Sequence, residues 1–385
     1  MVGTIVLVIE TIIKDKEIDS REICIRILKN LFIMKTFNLK SWVILMFISL
    51  VISSCSNDDD NSSLVVNNPT ASFTFNFTVA NAGESVTFTD TSIPGTGTIT
   101  SWDCTFTGAT PSSSTDQNPT VIFDSKGEFS VSLSVTADDI GSDSTSQEVL
   151  AVEGCDVYDC EKFLFDVQSN IPYGINVAHT MNIYTPKGDL RTNKPALLLN
   201  GGGMYEGSDL SLLEPLAERL ASYGFVVATA RYRNGIQDGT GNLMRGMVDS
   251  RAAVRFLRAN ASDYDINPNQ IFAGGWASGA YNALTHAYWQ FEDINPPELY
   301  DLVQQWITGW EGVQGNMGVS SEVNGVVNLG GAIFGTQEEY QEDLWITSSD
   351  VPMFAVHGTA DDETPYGALE LEFGNWEFGS SIIHQ

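Results

Sequence analysis

The stretch Ile271-Phe-Ala-Gly-Gly-Trp-Ala-Ser-Gly-Ala-Tyr-Asn-Ala-Leu284 constrains the fold more than any other part of the sequence. A short apolar run meets a cluster of glycines and passes at once into a helical pattern, as expected of a strand that turns sharply into a helix. Such a turn holds its central residue in a strained backbone conformation, and the residues two before and two after it must be small. Centred on Ala277, the flanks are Gly275 and Gly279; centred on Ser278, they are Trp276 and Ala280. An indole fits that crowded position poorly. The pattern therefore puts a methyl group at the apex and the hydroxyl one step along, and Ser278 takes the apex only if the turn shifts by one residue.

The segments around this turn repeat one theme. Ala196-Leu-Leu-Leu199, Phe225-Val-Val-Ala-Thr-Ala230, Ile271-Phe-Ala273, Gly325-Val-Val-Asn-Leu329 and Met353-Phe-Ala-Val-His357 are short apolar runs suited to buried parallel strands. Helical patterns alternate with them, notably Ser211 to Tyr223 and Leu243 to Ala259. The alternation predicts an α/β domain with a doubly wound, mostly parallel sheet over 155–385. Ligands of such sheets sit at the carboxyl ends of the strands. Asn200-Gly-Gly-Gly-Met204 stands at one such end, where glycines let backbone amides approach a ligand closely. Asp361, in Val356-His-Gly-Thr-Ala-Asp361, stands at another, with Asp362 as the alternative acid and His357 as a strand-end structural residue. Asp249 opens the pattern Asp-Ser-Arg-Ala-Ala-Val-Arg-Phe-Leu257 and reads as a structural hydrogen-bond acceptor near the site. Aromatics from Tyr288 to Trp310 read as the core of a cap segment rather than as a ligand platform.

Before this domain, strands with period-two alternation recur at close spacing: Ala71 to Phe75, Ser85 to Thr89, Ile99 to Phe106 and Glu128 to Val135. They predict a small all-β sandwich over 70–152, reached through a polar linker over 56–69. Met34-Lys-Thr-Phe-Asn-Leu-Lys40, the apolar run Trp42 to Ile52 and Ser-Ser-Cys55 have the order of an export signal. Residues 1–55 are thus a leader whose true start is Met34. Lys+Arg of 19 against Asp+Glu of 49 gives a net charge of -30, which argues against nucleic acid and anionic membrane surfaces as partners. None of the five cysteines has metal-ligand spacing, and no metal or cofactor is implied. Cys155 and Cys160 bracket a short loop that an oxidised pair would close, and Cys104 reads as a buried free thiol.

Several of these motifs carry resemblances. Phe88-Thr-Asp-Thr-Ser92, Ser101-Trp102, Asn118-Pro119 and Gly127-Glu-Phe-Ser-Val-Ser-Leu133 resemble, in order, a PKD domain, an Ig-like module that serves as a spacer or a weak glycan or protein contact. Ile52-Ser-Ser-Cys55 resembles a bacterial lipobox, which implies acylation of Cys55 and an anchor in the outer membrane at the cell surface; a plain signal peptide is the alternative. Residues 155–385 resemble the α/β-hydrolase superfamily, within it the carboxylesterase-like secreted proteins of Bacteroidetes. That resemblance implies a Ser, Asp, His triad and a small or glycan-linked ester as partner. It assigns the acid to Asp361, the oxyanion donors to the amides of Gly202, Gly203 and Ser278, and the nucleophile position to Ala277, with Ser278 as the available hydroxyl. The triad histidine is expected after one more helix and strand, so the sequence reads as C-terminally truncated. His384 is the remaining candidate, and Phe378 to His384 reads as the opening of that helix. The chain is then an ester hydrolase, a pseudo-hydrolase that binds without turnover, or a surface adhesion protein relying on its PKD-like module.

Overall fold

The computed structural model describes residues 66–380 apart from 77, 139, 235–238, 290–310, 337–345, 347–348, 362 and 371–374. The leader with Cys55, most of the linker, the cap aromatics from 290 to 310, Asp362 and His384 lie outside the described residues.

The N-terminal sandwich packs a four-stranded sheet against a five-stranded one. Alternation builds its core: the strand Gly127–Ala137 buries Val131, Leu133, Val135 and Ala137 and turns Ser130 and Thr136 to solvent. Phe88 and Phe106, with ring centroids 5.1 Å apart, lie between the sheets. Trp102 Nε1 donates to Asp90 at 2.8 Å, satisfying the indole's polar atom. Cys104 is a buried free thiol, and burial pushes its pKa up to about 11. The strand Gly127–Ala137 pairs along its whole length with the strand Gly141–Val152. The opening Ser-Asp-Ser-Thr-Ser of the latter is too polar to announce a strand from the sequence. Cys155 and Cys160 are joined as a disulfide at the junction with the second domain, where Lys162 Nζ ties down the carbonyls of Glu153 and Cys155 at 2.6 Å each.

The second domain is built on a seven-stranded sheet. Its strands in chain order are β1 (Leu164–Pro172), β2 (Thr180–Lys187), β3 (Lys194–Asn200), β4 (Val226–Ala230), β5 (Ile266–Trp276), β6 (Val326–Leu329) and β7 (Met353–Val356). Their spatial order is β1-β2-β4-β3-β5-β6-β7. The first two pairings are antiparallel and the other four parallel. The helices are α1 (Glu214–Ser222), α2 (Gly239–Ala259) and α3 (Ser278–Tyr288).

Side-chain alternation along the strands separates two apolar layers. Leu198, Ala228 and Ala273 face α2 and α3, meeting Ala252, Leu257 and Leu284. Leu197, Leu199, Val227 and Phe272 face the other way and meet Ala217 and Leu220 of α1. Every residue of β3 is buried, as a central strand covered on both faces requires. A small antiparallel sheet of Ile333–Thr336, Asn375–Phe378 and Ala368–Glu370 adjoins this core. Phe378 is therefore the end of a strand. Pairing with Ile333 and Ala368 fixes Phe378 itself as extended backbone, while Ser380, two residues on, is helical; the residues from 381 to His384 lie outside the described residues.

Candidate functional site

Strand β5 runs without interruption into α3, and the turn between them holds Ala277 at φ 49 and ψ -122. This is a region that non-glycine residues occupy only under constraint. The flanking glycines explain the constraint. A Cβ on Gly275 would overlap the Gly279 carbonyl, and one on Gly279 would overlap the carbonyl oxygen of Asn200. The apex therefore carries a methyl group. Ser278 is the first residue of α3 and is buried, with Oγ 3.0 Å from the Tyr232 hydroxyl. Burial pushes the Tyr232 phenol up to about 12, so it stays protonated near neutrality and takes no proton from Ser278.

Strain without a nucleophile has a measurable consequence. Ala277→Gly removes the steric cost of this conformation, of order 1–3 kcal/mol, less the extra unfolded-state entropy of glycine. The variant is expected to be more stable than the parent by about 1 kcal/mol, read from the urea midpoint of the second domain. A loss of stability would show that the apex is not strained.

The glycine loop after β3 splits in its roles. Gly202 donates its amide to the Asp209 carbonyl at 3.1 Å and accepts from the Asp209 amide at 2.8 Å. The N–H of Gly202 is thus engaged within the chain, which corrects its assignment as an oxyanion donor. Its missing side chain matters instead, because a Cβ there would overlap the Trp276 indole. Gly203, at φ 116, has no chain acceptor for its amide among the described residues. Ser278, as the first residue of a helix, has no intrahelical acceptor either. The amides of Gly203 and Ser278 are thus without a hydrogen-bond acceptor among the described residues. The next residues, Met204 and Tyr205, both have positive φ, 49 and 63. This brings the Tyr205 hydroxyl to Asn282 Oδ1 at 3.0 Å and to the Ser278 carbonyl at 3.4 Å.

Asn200, which heads the glycine loop, fastens its root. Its Nδ2 donates to the Gly274 carbonyl at 2.9 Å and to Ser250 Oγ at 3.1 Å. Asp249, fully buried at the neighbouring position of α2, accepts from the backbone and guanidinium of Arg233 at 2.7–3.0 Å. His179 Nε2 lies 3.0 Å from its Oδ1.

Asp361 follows β7. Its Oδ1 accepts from the amides of Glu363 at 3.0 Å and Thr364 at 2.9 Å, leaving Oδ2 on the side of His357 and Gly330. Of the three described imidazoles, His179 has Nε2 3.0 Å from Asp249 Oδ1, His286 lies between Ser250 and Ser321, and His357 lies between Ser380 and Thr364 with Nε2 3.5 Å from Asp361 Oδ2. Tyr205, Tyr232, Asn282 and Asn328 are components of the site that sequence reasoning did not single out. Only the position of Tyr232, just beyond the end of β4, offered a hint.

A mostly parallel sheet with an antiparallel start, helices on both faces and a strained strand-to-helix turn at its carboxyl edge define the α/β-hydrolase class. Residues 181–370 match the BD-FAE family, and residues 70–151 match the PKD domain family. The chain belongs to the α/β-hydrolase superfamily as an esterase-like BD-FAE domain preceded by a PKD domain.

Similar curated proteins include gut esterase 1 of Caenorhabditis elegans, 36% identical over 110 residues, covering 26% of this chain and 19% of that protein. Gut esterase 1 of Caenorhabditis briggsae is 33% identical over 112 residues, with the same coverage. The chain thus spans about a fifth of the length of the curated relatives it matches. Among solved structures, apo Thermogutta terrifontis esterase 2 is 19% identical with a TM-score of 0.38, covering 52% of this chain and 74% of that one. The α/β hydrolase MGS-M1 from a Medee basin deep-sea metagenome library is 20% identical with a TM-score of 0.37, covering 52% and 72%.

Proposed function

We propose that this protein holds small or glycan-linked esters at the carboxyl end of β5 and does not cleave them through a serine at the turn. The observation that carries this reading is the methyl group of Ala277 at φ 49 and ψ -122, where a nucleophile would stand. An ester carbonyl oxygen would accept hydrogen bonds from the amides of Gly203 and Ser278, the electrostatic arrangement that stabilises an oxyanion. No hydroxyl at the apex can attack the carbonyl carbon, and loss of a triad serine leaves only the rate enhancement due to binding and the amide donors. The esterase-like family supports an ester as the ligand class, and the gut esterases carry that activity in their name.

The leader supports export, with acylation of Cys55 tethering the mature protein to the bacterial outer membrane at the cell surface. The PKD domain would then stand as a spacer between anchor and site.

The test is a titration of the protein with methyl acetate and an acetylated oligosaccharide, followed by NMR at the Gly203 and Ser278 amides. A parallel assay follows p-nitrophenyl acetate hydrolysis. Saturable amide shifts without turnover are the expected result. Turnover that disappears in Ser278→Ala would overturn the reading by making Ser278 the nucleophile, and an absence of amide shifts would remove the ester.

A further inference from the structure

Gly275 is paired on both sides with an asparagine in register, Asn200 of β3 and Asn328 of β6. Each asparagine begins a buried chain of hydrogen bonds that runs through a serine to a histidine. On the β3 side, Asn200 Nδ2 meets Ser250 Oγ at 3.1 Å, and Ser250 Oγ meets His286 Nδ1 at 3.1 Å. On the β6 side, Asn328 Nδ2 meets Ser380 Oγ at 3.2 Å, and Ser380 Oγ meets His357 Nδ1 at 2.8 Å. Nε2 of each ring faces a backbone carbonyl, that of Ser321 at 2.9 Å for His286 and that of Thr364 at 3.2 Å for His357, and a carbonyl can only accept. In the neutral ring the proton therefore sits on Nε2, and Nδ1 accepts from the serine hydroxyl.

We propose that the Asn328–Ser380 pair makes His357 a positioning residue for Asp361 by fixing it as the Nε2–H tautomer. The Nε2–H faces the Thr364 carbonyl at 3.2 Å and Asp361 Oδ2 at 3.5 Å. It closes the 361–364 turn from one side, while the Thr364 amide, donating to Asp361 Oδ1, closes it from the other. Ser380 is buried and the His357 side chain has no exposed surface, so water does not compete for these bonds. Tyr366, edge-on to the imidazole at 5.7 Å, packs the ring in place. Asn328 itself is anchored by Gly331, whose amide donates to its Oδ1 at 2.7 Å and whose carbonyl accepts from its Nδ2 at 3.2 Å. The chain thus connects the strand beside the apex to the acid-bearing turn. The role given to Asp361 rests on the ester-binding reading above; the tautomer and the closure of the turn do not.

The test uses the full chain with 15N-labelled histidine. Nitrogen chemical shifts of His357 near neutral pH should show a single Nε2–H tautomer. Ser380→Ala should give a tautomer mixture, and Ser380→Thr, which keeps the hydroxyl, should restore the single form. Amide exchange at Thr364 should accelerate roughly tenfold in Ser380→Ala and not in Ser380→Thr, as expected for the loss of about one hydrogen bond. An Nδ1–H tautomer in the parent protein overturns the proposal and needs no variant to fold. Loss of the tautomer with unchanged Thr364 exchange overturns the positioning role. Neither readout depends on whether esters bind.

Discussion

Asp249→Ala is expected to lower the unfolding free energy of the second domain by about 3–5 kcal/mol, the usual cost of removing one member of a buried ion pair. The carboxylate has no solvent exposure, and the Arg233 side chain retains only 16%. Arg233 gives it its backbone amide as well as its guanidinium, and His179 Nε2 stands 3.0 Å from Oδ1. Alanine would leave the mostly covered Arg233 guanidinium and the fully buried His179 imidazole without their carboxylate. The damage would spread to the site because Tyr232, whose hydroxyl meets Ser278 Oγ, is the residue immediately before Arg233. Urea unfolding followed by tryptophan fluorescence measures the effect. A change below about 1 kcal/mol, the range of an exposed pair, would mean that Asp249 contributes no more than a surface carboxylate. The sequence suggested a structural acceptor at Asp249, but not that one carboxylate would gather three groups from two separate segments.

The parallel part of the sheet was legible because burial on both faces forces continuous apolar runs. Leu197 and Leu198 face opposite layers, so neither can be polar, and the run announces itself. The antiparallel strand β1 escaped notice for the converse reason, whereas the mostly buried β2 has its apolar run broken by Asn182 and Thr185. β1 is an edge strand, and most of its residues, including Asp166, Gln168 and Asn170, meet solvent or sit in the partly covered rim. Its place in the sheet comes from backbone pairing with β2, which leaves no mark on side-chain hydrophobicity. The small sheet of Ile333–Thr336, Asn375–Phe378 and Ala368–Glu370 was hidden similarly, its strands being three or four residues long.

The site was legible where sterics act locally. Gly275 and Gly279 point to their own requirement because a side chain at either would strike backbone within the same turn. Gly202 looked equivalent to Gly203 in the sequence, since both are glycines in one run. Their difference depends on Asp209, seven residues from Gly202, folding back to take the Gly202 amide. The Asn–Ser–His chains were out of reach of sequence reasoning altogether. Asn328 and Ser380 are 52 residues apart, and no periodicity connects them.

The chain on the β3 side predicts a response to acid. Burial holds the His286 imidazole down at about 3, against an ordinary value of 6.5, and the cations of Arg251, Arg255 and Arg258 add to the effect. Glu311, paired with Arg251 and Arg255, offsets part of that positive field. A proton on Nδ1 would also leave the Ser250 hydroxyl proton without its acceptor, since Ser250 Oγ already receives Asn200 Nδ2. The unfolded chain therefore binds this proton more readily than the folded one. The stabilisation from a neutral His286 is complete above about pH 6.5 and is lost progressively as the pH falls towards 3. Between those limits the contribution of this one group approaches about 1.4 kcal/mol per pH unit. Unfolding free energies measured from pH 4 to 6 should show this slope in the parent protein. They should show a slope shallower by about that amount in His286→Gln, which cannot take up the charge. Equal slopes in the two proteins would mean that His286 is already protonated or is reached by solvent. Because Asn200 heads the glycine loop, protonation of the folded protein would loosen the anchor of the Gly203 amide only near pH 3; ester binding by the folded protein should therefore hold between pH 4 and 6, where the stability falls, and weaken only near that lower limit.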